Sequence, residues 1–180
     1  SSPTSFVGHA SLPPAWHAGA RGDGPSGRGA PPPNALPRLK CVAIDDDELQ
    51  RELHRSILKH CFMAEPAESC VVGSTSAEHD AFVGICMGTL DAKLQPVRRS
   101  DQRQADVAIV DHRMQWPDEK PAADDAAAAR GLVLGTDLAF KLQEAGFRGV
   151  VCMVTAESGQ DAAELARMPG VDAVYEKGMV

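Results

Sequence analysis

The stretch Cys41-Val-Ala-Ile44-Asp45-Asp46-Asp47 decides how the chain is read: a short apolar run that stops on three acids. The pattern repeats. Val107-Ala-Ile-Val110 runs into Asp111, Val150-Val-Cys-Met-Val154 runs into Thr155-Ala156, and Ala173-Val-Tyr175 is followed by Lys177. Short runs rich in Val read as strands buried on both faces of a parallel sheet. In an open parallel α/β sheet, ligands bind in the crevice outside the carboxyl ends of the strands. Three carboxylates, a hydroxyl and an ammonium are therefore expected to meet in one small pocket.

Outward from these runs, strand and helix alternate. Asp47 can cap a helix, with Gln50 three residues on and Leu49, Leu53, Ile57 and Cys61 recurring at four-residue steps. Cys70-Val-Val72 reads as the second strand. Thr75-x-x-Glu78 makes a capping box ahead of Ala81, Phe82, Ile85 and Cys86. Residues 106–110 form the third strand and 150–154 the fourth. Between them lies a helix carrying Leu138, Leu142 and Ala145 and stopped by Gly146. Ser158 is expected to cap a further helix with Leu165 and Ala166 inward, ended by Pro169-Gly170, before a fifth strand at 172–176. Repeated βα units with short apolar strands predict an α/β fold, a doubly wound parallel sheet with right-handed crossovers.

Two segments break the rhythm. Residues 91–104, with Arg98, Arg99 and Arg103, read as a polar surface loop. Residues 117–130 are low-complexity and follow directly on the Asp111 loop, so they read as a solvated insertion beside the pocket. Residues 1–38 hold eight Pro, six Gly and five Ser, too little apolar surface to offset the entropy of ordering. They read as a disordered linker ahead of a domain at 39–180, and the initial Ser1 is expected to mark a piece of a longer protein.

At 180 residues and 43% hydrophobic content the chain supports one domain with a real core. No stretch approaches the roughly 18 apolar residues of a membrane helix, so membrane contact is not expected. A net charge of −7 argues against nucleic-acid binding by this domain. Cys41, Cys61, Cys70, Cys86 and Cys152 form no C-x-x-C pair and read as small buried hydrophobes in a reducing, cytoplasmic setting. His54, His60 and His112 show no metal-ligand spacing and are expected at the surface, and Trp116 is expected to pack locally.

Carboxylates crowded at strand ends repel, and a hard divalent cation relieves them. Mg²⁺ takes oxygen ligands, keeps several waters and uses one or two carboxylates plus a phosphate. The carboxylates of Asp45, Asp46 and Asp111, the Lys177 ammonium and one such cation balance to zero. A carboxylate is also a nucleophile for phosphoryl transfer, giving an acyl phosphate. Lys177 and the cation would offset charge on the phosphoryl oxygens, while Thr155 and nearby N–H groups would donate hydrogen bonds.

These residues resemble the response-regulator receiver domain of two-component phosphorelays, over residues 39–178, about three quarters of the chain. Asp45-Asp46 is similar to the family's metal-binding acidic pair and Asp111 to its phosphoacceptor. Thr155-Ala156 within Met153-Val-Thr-Ala-Glu157 is similar to its switch hydroxyl and small neighbour, and Lys177 to its lysine. The resemblance implies a flavodoxin-like sheet in strand order 2-1-3-4-5. Asp111 would take a phosphoryl group from a phosphohistidine on a histidine kinase or a histidine phosphotransfer protein. Mg²⁺ would be held by Asp46 and Asp111 directly, Asp45 through water, and the backbone carbonyl of Arg113. Phosphorylation would shift Thr155 and switch a partner surface, with an output domain in the same longer chain as a further partner; such a module is not an enzyme in its own right.

The chain departs from the family's pattern in places. Val174 stands where an aromatic switch residue is usual, with Tyr175 one place later and, by strand alternation, facing the other way. Gly178 replaces a proline, and the proline expected soon after the phosphoacceptor is displaced to Pro117. The chain stops at Val180, before a fifth helix, which predicts a piece lacking the last helix and less stable than a complete receiver. Two alternatives stand beside the receiver reading. One is a pseudo-receiver, an interaction module that does not cycle phosphate. The other is a haloacid-dehalogenase-type phosphatase with Asp45 as nucleophile, in which Leu49 would replace the expected Thr or Val.

Overall fold

The computed structural model describes residues 38–60, 64–116 and 132–177. The expected linker as far as Pro37, the insertion at 117–130, Cys61 and Gly178 lie outside them. Strands β1 (Cys41–Ile44), β2 (Cys70–Val72), β3 (Val107–Asp111), β6 (Val150–Thr155) and β7 (Ala173–Glu176) form one sheet in the order β2-β1-β3-β6-β7. Every pairing in it is parallel. This is the doubly wound, flavodoxin-like order 2-1-3-4-5 expected for the five strands.

Alternation explains why β1, β3 and β6 are apolar along most of their length. Val42 and Ile44 of β1, Ala108 and Val110 of β3, and Val151 and Met153 of β6 belong to one core cluster. It also contains Phe82, Ile85, Leu138, Leu142 and Leu165 from the helices on that face. The intervening Cys41, Ala43, Val107, Ile109 and Val154 form a second cluster with Leu58 on the other face. A strand covered on both sides has no polar face to show. Each large aliphatic side chain so buried contributes about 1.5–3 kcal/mol.

Helix α1 (Glu48–His60) starts as predicted, with Asp47 Oδ1 accepting the Gln50 amide at 3.0 Å. Its buried face differs from the expected one. Arg51, His54 and Leu58 turn inward, whereas Leu49 and Leu53 are 75% and 50% exposed. The cause is geometric and chemical. Uniform four-residue steps advance about 400° each, so such a stripe drifts about 40° per step around the helix. The carbonyls at the sheet's edge also need donors, which Arg51 supplies.

Helix α2 (Ser76–Met87) follows the capping box. Thr75 Oγ1 accepts the Glu78 amide at 3.2 Å. The Glu78 carboxylate reaches past the cap to the amides of Gly73 and Ser74, at 2.8 and 2.7 Å. These bonds outweigh the opposing effect of burial and hold its pKa below the ordinary value. Residues 91–104 are exposed for the most part, yet ordered by Asp91, whose carboxylate takes the amides of Lys93 and Gln95. An element not foreseen follows Asp111. Strand β4 (Arg113–Gln115) pairs antiparallel with β5 (Leu132–Leu134), which leads directly into α3 (Gly135–Glu144).

Helix α3 buries Leu138, Ala139 and Leu142, and Gly146 follows at φ 77°. Helix α4 (Gln160–Leu165) begins after Gly159 with no side-chain cap, so Ser158 does not play the capping part expected of it. Its inward residues are Ala162 and Leu165, while Ala166 is exposed. On β7, Val174 packs toward the main core and Tyr175 is 45% exposed, as alternation predicts. No helix of the described residues is long and apolar enough to cross a membrane.

Candidate functional site

The strand order reverses between β1 and β3, the switch point at which the crevice of a doubly wound sheet opens. Asp45 directly follows β1 and Asp111 closes β3, so both carboxylates arrive there. Asp45 is fully buried and Asp111 is 4% exposed, with Asp46 partly exposed beside them. One carboxylate oxygen from each lies within 4.8 Å of the others. Lys177, one residue past β7, sets its Nζ 3.0 Å from Asp45 Oδ2 and 2.7 Å from Asp111 Oδ1. Its own amide donates to the Thr155 carbonyl at 2.6 Å, extending the β6–β7 ladder to the site.

The backbone around these groups is fastened from several sides. The Arg51 guanidinium, buried on α1, donates to the carbonyls of Asp45 (3.0 Å), Asp46 (2.7 Å) and Gly73 (3.3 Å). Trp116 Nε1 donates to the same Gly73 carbonyl at 2.9 Å, and the Gln115 amide donates to Asp46 Oδ2 at 2.8 Å. The ribbon after Asp111 thus ties the loops that follow β1 and β2. Gly73, at φ 115°, admits no side chain, because a Cβ would stand 2.3 Å from the Asp45 carbonyl. Gly135 likewise lies against the Asp111 carbonyl, where a Cβ would come within 2.1 Å.

Burial pushes the Asp111 carboxyl up to about 6; the charges of Asp45 and Asp46 add to the rise, and Lys177 opposes it. For Asp45 burial acts the same way, yet the nearby His54 ring and the hydrogen bond from Lys177 hold it below the ordinary value. Lys177 loses solvation too, but its bond to Asp111 keeps its pKa above the usual one. The result is an ionic cluster short of positive charge. Its donors are hard oxygens, the set Mg²⁺ prefers, and the three carboxylates are compatible with binding it.

Thr155 is buried at the end of β6. Its Oγ1 accepts the Glu157 amide at 3.0 Å and lies 3.4 Å from His112 Nδ1. Burial holds the His112 pKa below the ordinary value, and a neutral ring can accept the Thr155 proton at Nδ1. The hydroxyl is thus engaged beside the carboxylates rather than on them. Ala156 is exposed next to it. Arg113, at the start of β4, turns an exposed side chain onto Glu157 in an ion pair.

Two expectations about histidine are overturned. His54 and His112 are buried, at 3% and 7% exposure, rather than at the surface. His54 Nε2 lies 3.4 Å from Asp45 Oδ2, and His112 abuts Thr155, so each is held by a site residue. His60 is exposed, as expected. Arg51, His54 and Leu58 share one helical face at three- and four-residue spacing from the Asp47 cap. That spacing is the signal in the sequence that could have placed His54 at the site.

No family model and no curated protein matches the sequence. Among solved structures, the chain is similar to the N-terminal domain of the uncharacterized protein WS1339 from Wolinella succinogenes, with 18% identity, TM-score 0.47, and 79% of this chain and 84% of that one covered. It is similar to the signal receiver domain of a Vibrio parahaemolyticus protein named as a Luxo repressor, with 14% identity, TM-score 0.46, and 79% and 81% covered. A third is RcsB from Salmonella enterica serovar Typhimurium, bound to promoter rprA in the presence of phosphomimetic BeF3−, with 12% identity, TM-score 0.46, and 80% and 62% covered. The fold itself stands on the strand order and register.

Proposed function

We propose that the chain is a phosphoacceptor receiver module of a phosphorelay, with Asp111 taking a phosphoryl group from a phosphohistidine. The observation that carries this reading is the Lys177 ammonium, shared between Asp45 and Asp111 beside the Asp46 carboxylate at the sheet's switch point. In the transfer, an Asp111 carboxylate oxygen bonds to phosphorus as the P–N bond to the donor imidazole breaks. The departing nitrogen leaves with the electron pair and takes up a proton. Asp46 and Asp111 would hold Mg²⁺ directly, Asp45 through water, together with the Arg113 carbonyl; the bound ion supplies charge neutralisation at the phosphoryl oxygens.

Lys177 would pair with one of those oxygens once Asp111 no longer carries the charge it now meets. Thr155 would exchange its present bonds for one to the phosphoryl group, and the small Ala156 leaves room for the turn. Such a change biases a two-state surface that a partner reads. The partners are a histidine kinase or histidine phosphotransfer protein upstream and an output domain downstream, in an intracellular setting. The module signals; its own chemistry is confined to phosphotransfer and self-dephosphorylation. Asp45 is poorly suited to be a phosphatase nucleophile, because Lys177, His54 and the Asp47 amide surround its two oxygens.

The test is incubation with a small-molecule phosphodonor, with and without Mg²⁺, read by intact mass and site mapping. One phosphoryl group on Asp111, dependent on Mg²⁺ and absent in Asp111→Asn, is the expected result. No uptake would leave a pseudo-receiver, and label on Asp45 would make the protein a phosphatase.

A further inference from the structure

His54 stands on the buried face of α1 between Arg51 and Leu58, at a position where burying an imidazole costs stability unless a partner meets it. Its Nε2 is buried and has no well-aligned hydrogen-bond partner among the described residues. The polar atom facing it is Asp45 Oδ2, at 3.4 Å, the long end of the bonding range. One turn earlier on the same helix, Arg51 holds the main-chain carbonyls of Asp45 and Asp46. Helix α1 therefore addresses this loop twice, the backbone through Arg51 and the Asp45 carboxylate through His54.

We infer that His54 is a positioning residue for the cation site: it fixes the Asp45 carboxylate, which in turn fixes Lys177. The inference rests on the phosphoacceptor reading above. An ionised carboxylate offers about four lone-pair sites. The Asp47 amide takes one on Oδ1 at 3.0 Å, while Lys177 Nζ takes one on Oδ2 at 3.0 Å and His54 faces the other. What remains is a single acceptor direction on Oδ1, so Asp45 serves the site as an oriented outer acceptor. Without His54, Oδ2 is held by Lys177 alone, and the carboxylate can turn and carry the ammonium with it.

The test is Mg²⁺ titration of the full 180-residue chain, followed by backbone amide shifts of Asp46 and Gln115, for the parent and three variants. Partners that orient metal ligands change affinity by roughly 10–100-fold. His54→Leu and His54→Asn, which is too short to reach Asp45, should each weaken Mg²⁺ binding by about tenfold on that scale. His54→Gln, whose amide reaches as far as Nε2, should recover most of the loss. Parent-like affinity in both His54→Leu and His54→Asn overturns the inference alone, as does a Gln variant as weak as Asn. If His54→Leu does not fold, the Gln and Asn variants, both polar, decide between them. A parent chain that binds no Mg²⁺ overturns the phosphoacceptor reading and this inference together.

Discussion

Asp111 carries a negative charge into a place that disfavours it, 4% exposed and with Asp45 and Asp46 close by. Its carboxyl is raised from an ordinary 3.8 to about 6. Between these values the folded chain keeps a proton that the unfolded chain has released. As far as this group is concerned, stability is fullest below the ordinary value and falls as pH rises through about 6, a loss of about 3 kcal/mol. Asp111→Asn in EDTA should therefore be more stable than the parent by about 2–3 kcal/mol near pH 7.5, and most of that gain should vanish near pH 4.5. Urea unfolding at the two pH values checks it, and an equal gain at both would refute it. The convergence of Asp45, Asp46, Asp111 and Lys177 was legible because each follows an apolar run, and parallel strands bring their ends to one edge. His54 was legible only through its spacing from the Asp47 cap, and His112 was not. A histidine alone carries no sign of the partner that buries it.

At the scale of elements, α1 shows where spacing misleads. Leu49 and Leu53 look like core residues and stand in solvent, while a buried arginine and histidine serve the loop above them. Replacing Leu49 or Leu53 by Gln should change stability by no more than about 0.5 kcal/mol. Leu58→Ala, which opens a void against Cys41 and Ala43, should cost about 2–5 kcal/mol. Chemical denaturation of the three variants settles the orientation of the helix, and a large loss at Leu53 would reverse it. Helix α2 was legible to its first residue because Thr75 and Glu78 state their capping chemistry locally. The β4–β5 ribbon was not. Its strands are three residues each and their pairing spans the low-complexity segment, so no local pattern announces it.

For the molecule as a whole, the parallel α/β class followed from short apolar strands, intervening helices and the handedness of crossovers, whereas the strand order came from the resemblance to receiver domains. The charge pattern of the assembled site could be anticipated in outline, whereas its fastening by Arg51, Trp116 and Gln115 arises only from the folded arrangement. If Mg²⁺ binds the folded chain alone, it stabilises by mass action, about 1.4 kcal/mol at ten times its Kd. That gain should be seen in urea unfolding of the parent and lost in Asp46→Asn. Stability indifferent to Mg²⁺ in the parent would count against a cation at this site.

The bond from Lys177 to Asp45 joins residues 132 positions apart in sequence, and Lys177 follows directly on an edge strand. Whenever β7 peels from β6, Asp45 and Asp111 are left facing each other with no counter-ion between them. Fraying of this edge therefore breaks an ionic lock as well as a ladder of amide bonds, and the electrostatics of the pocket bolt the outermost strand of the sheet in place.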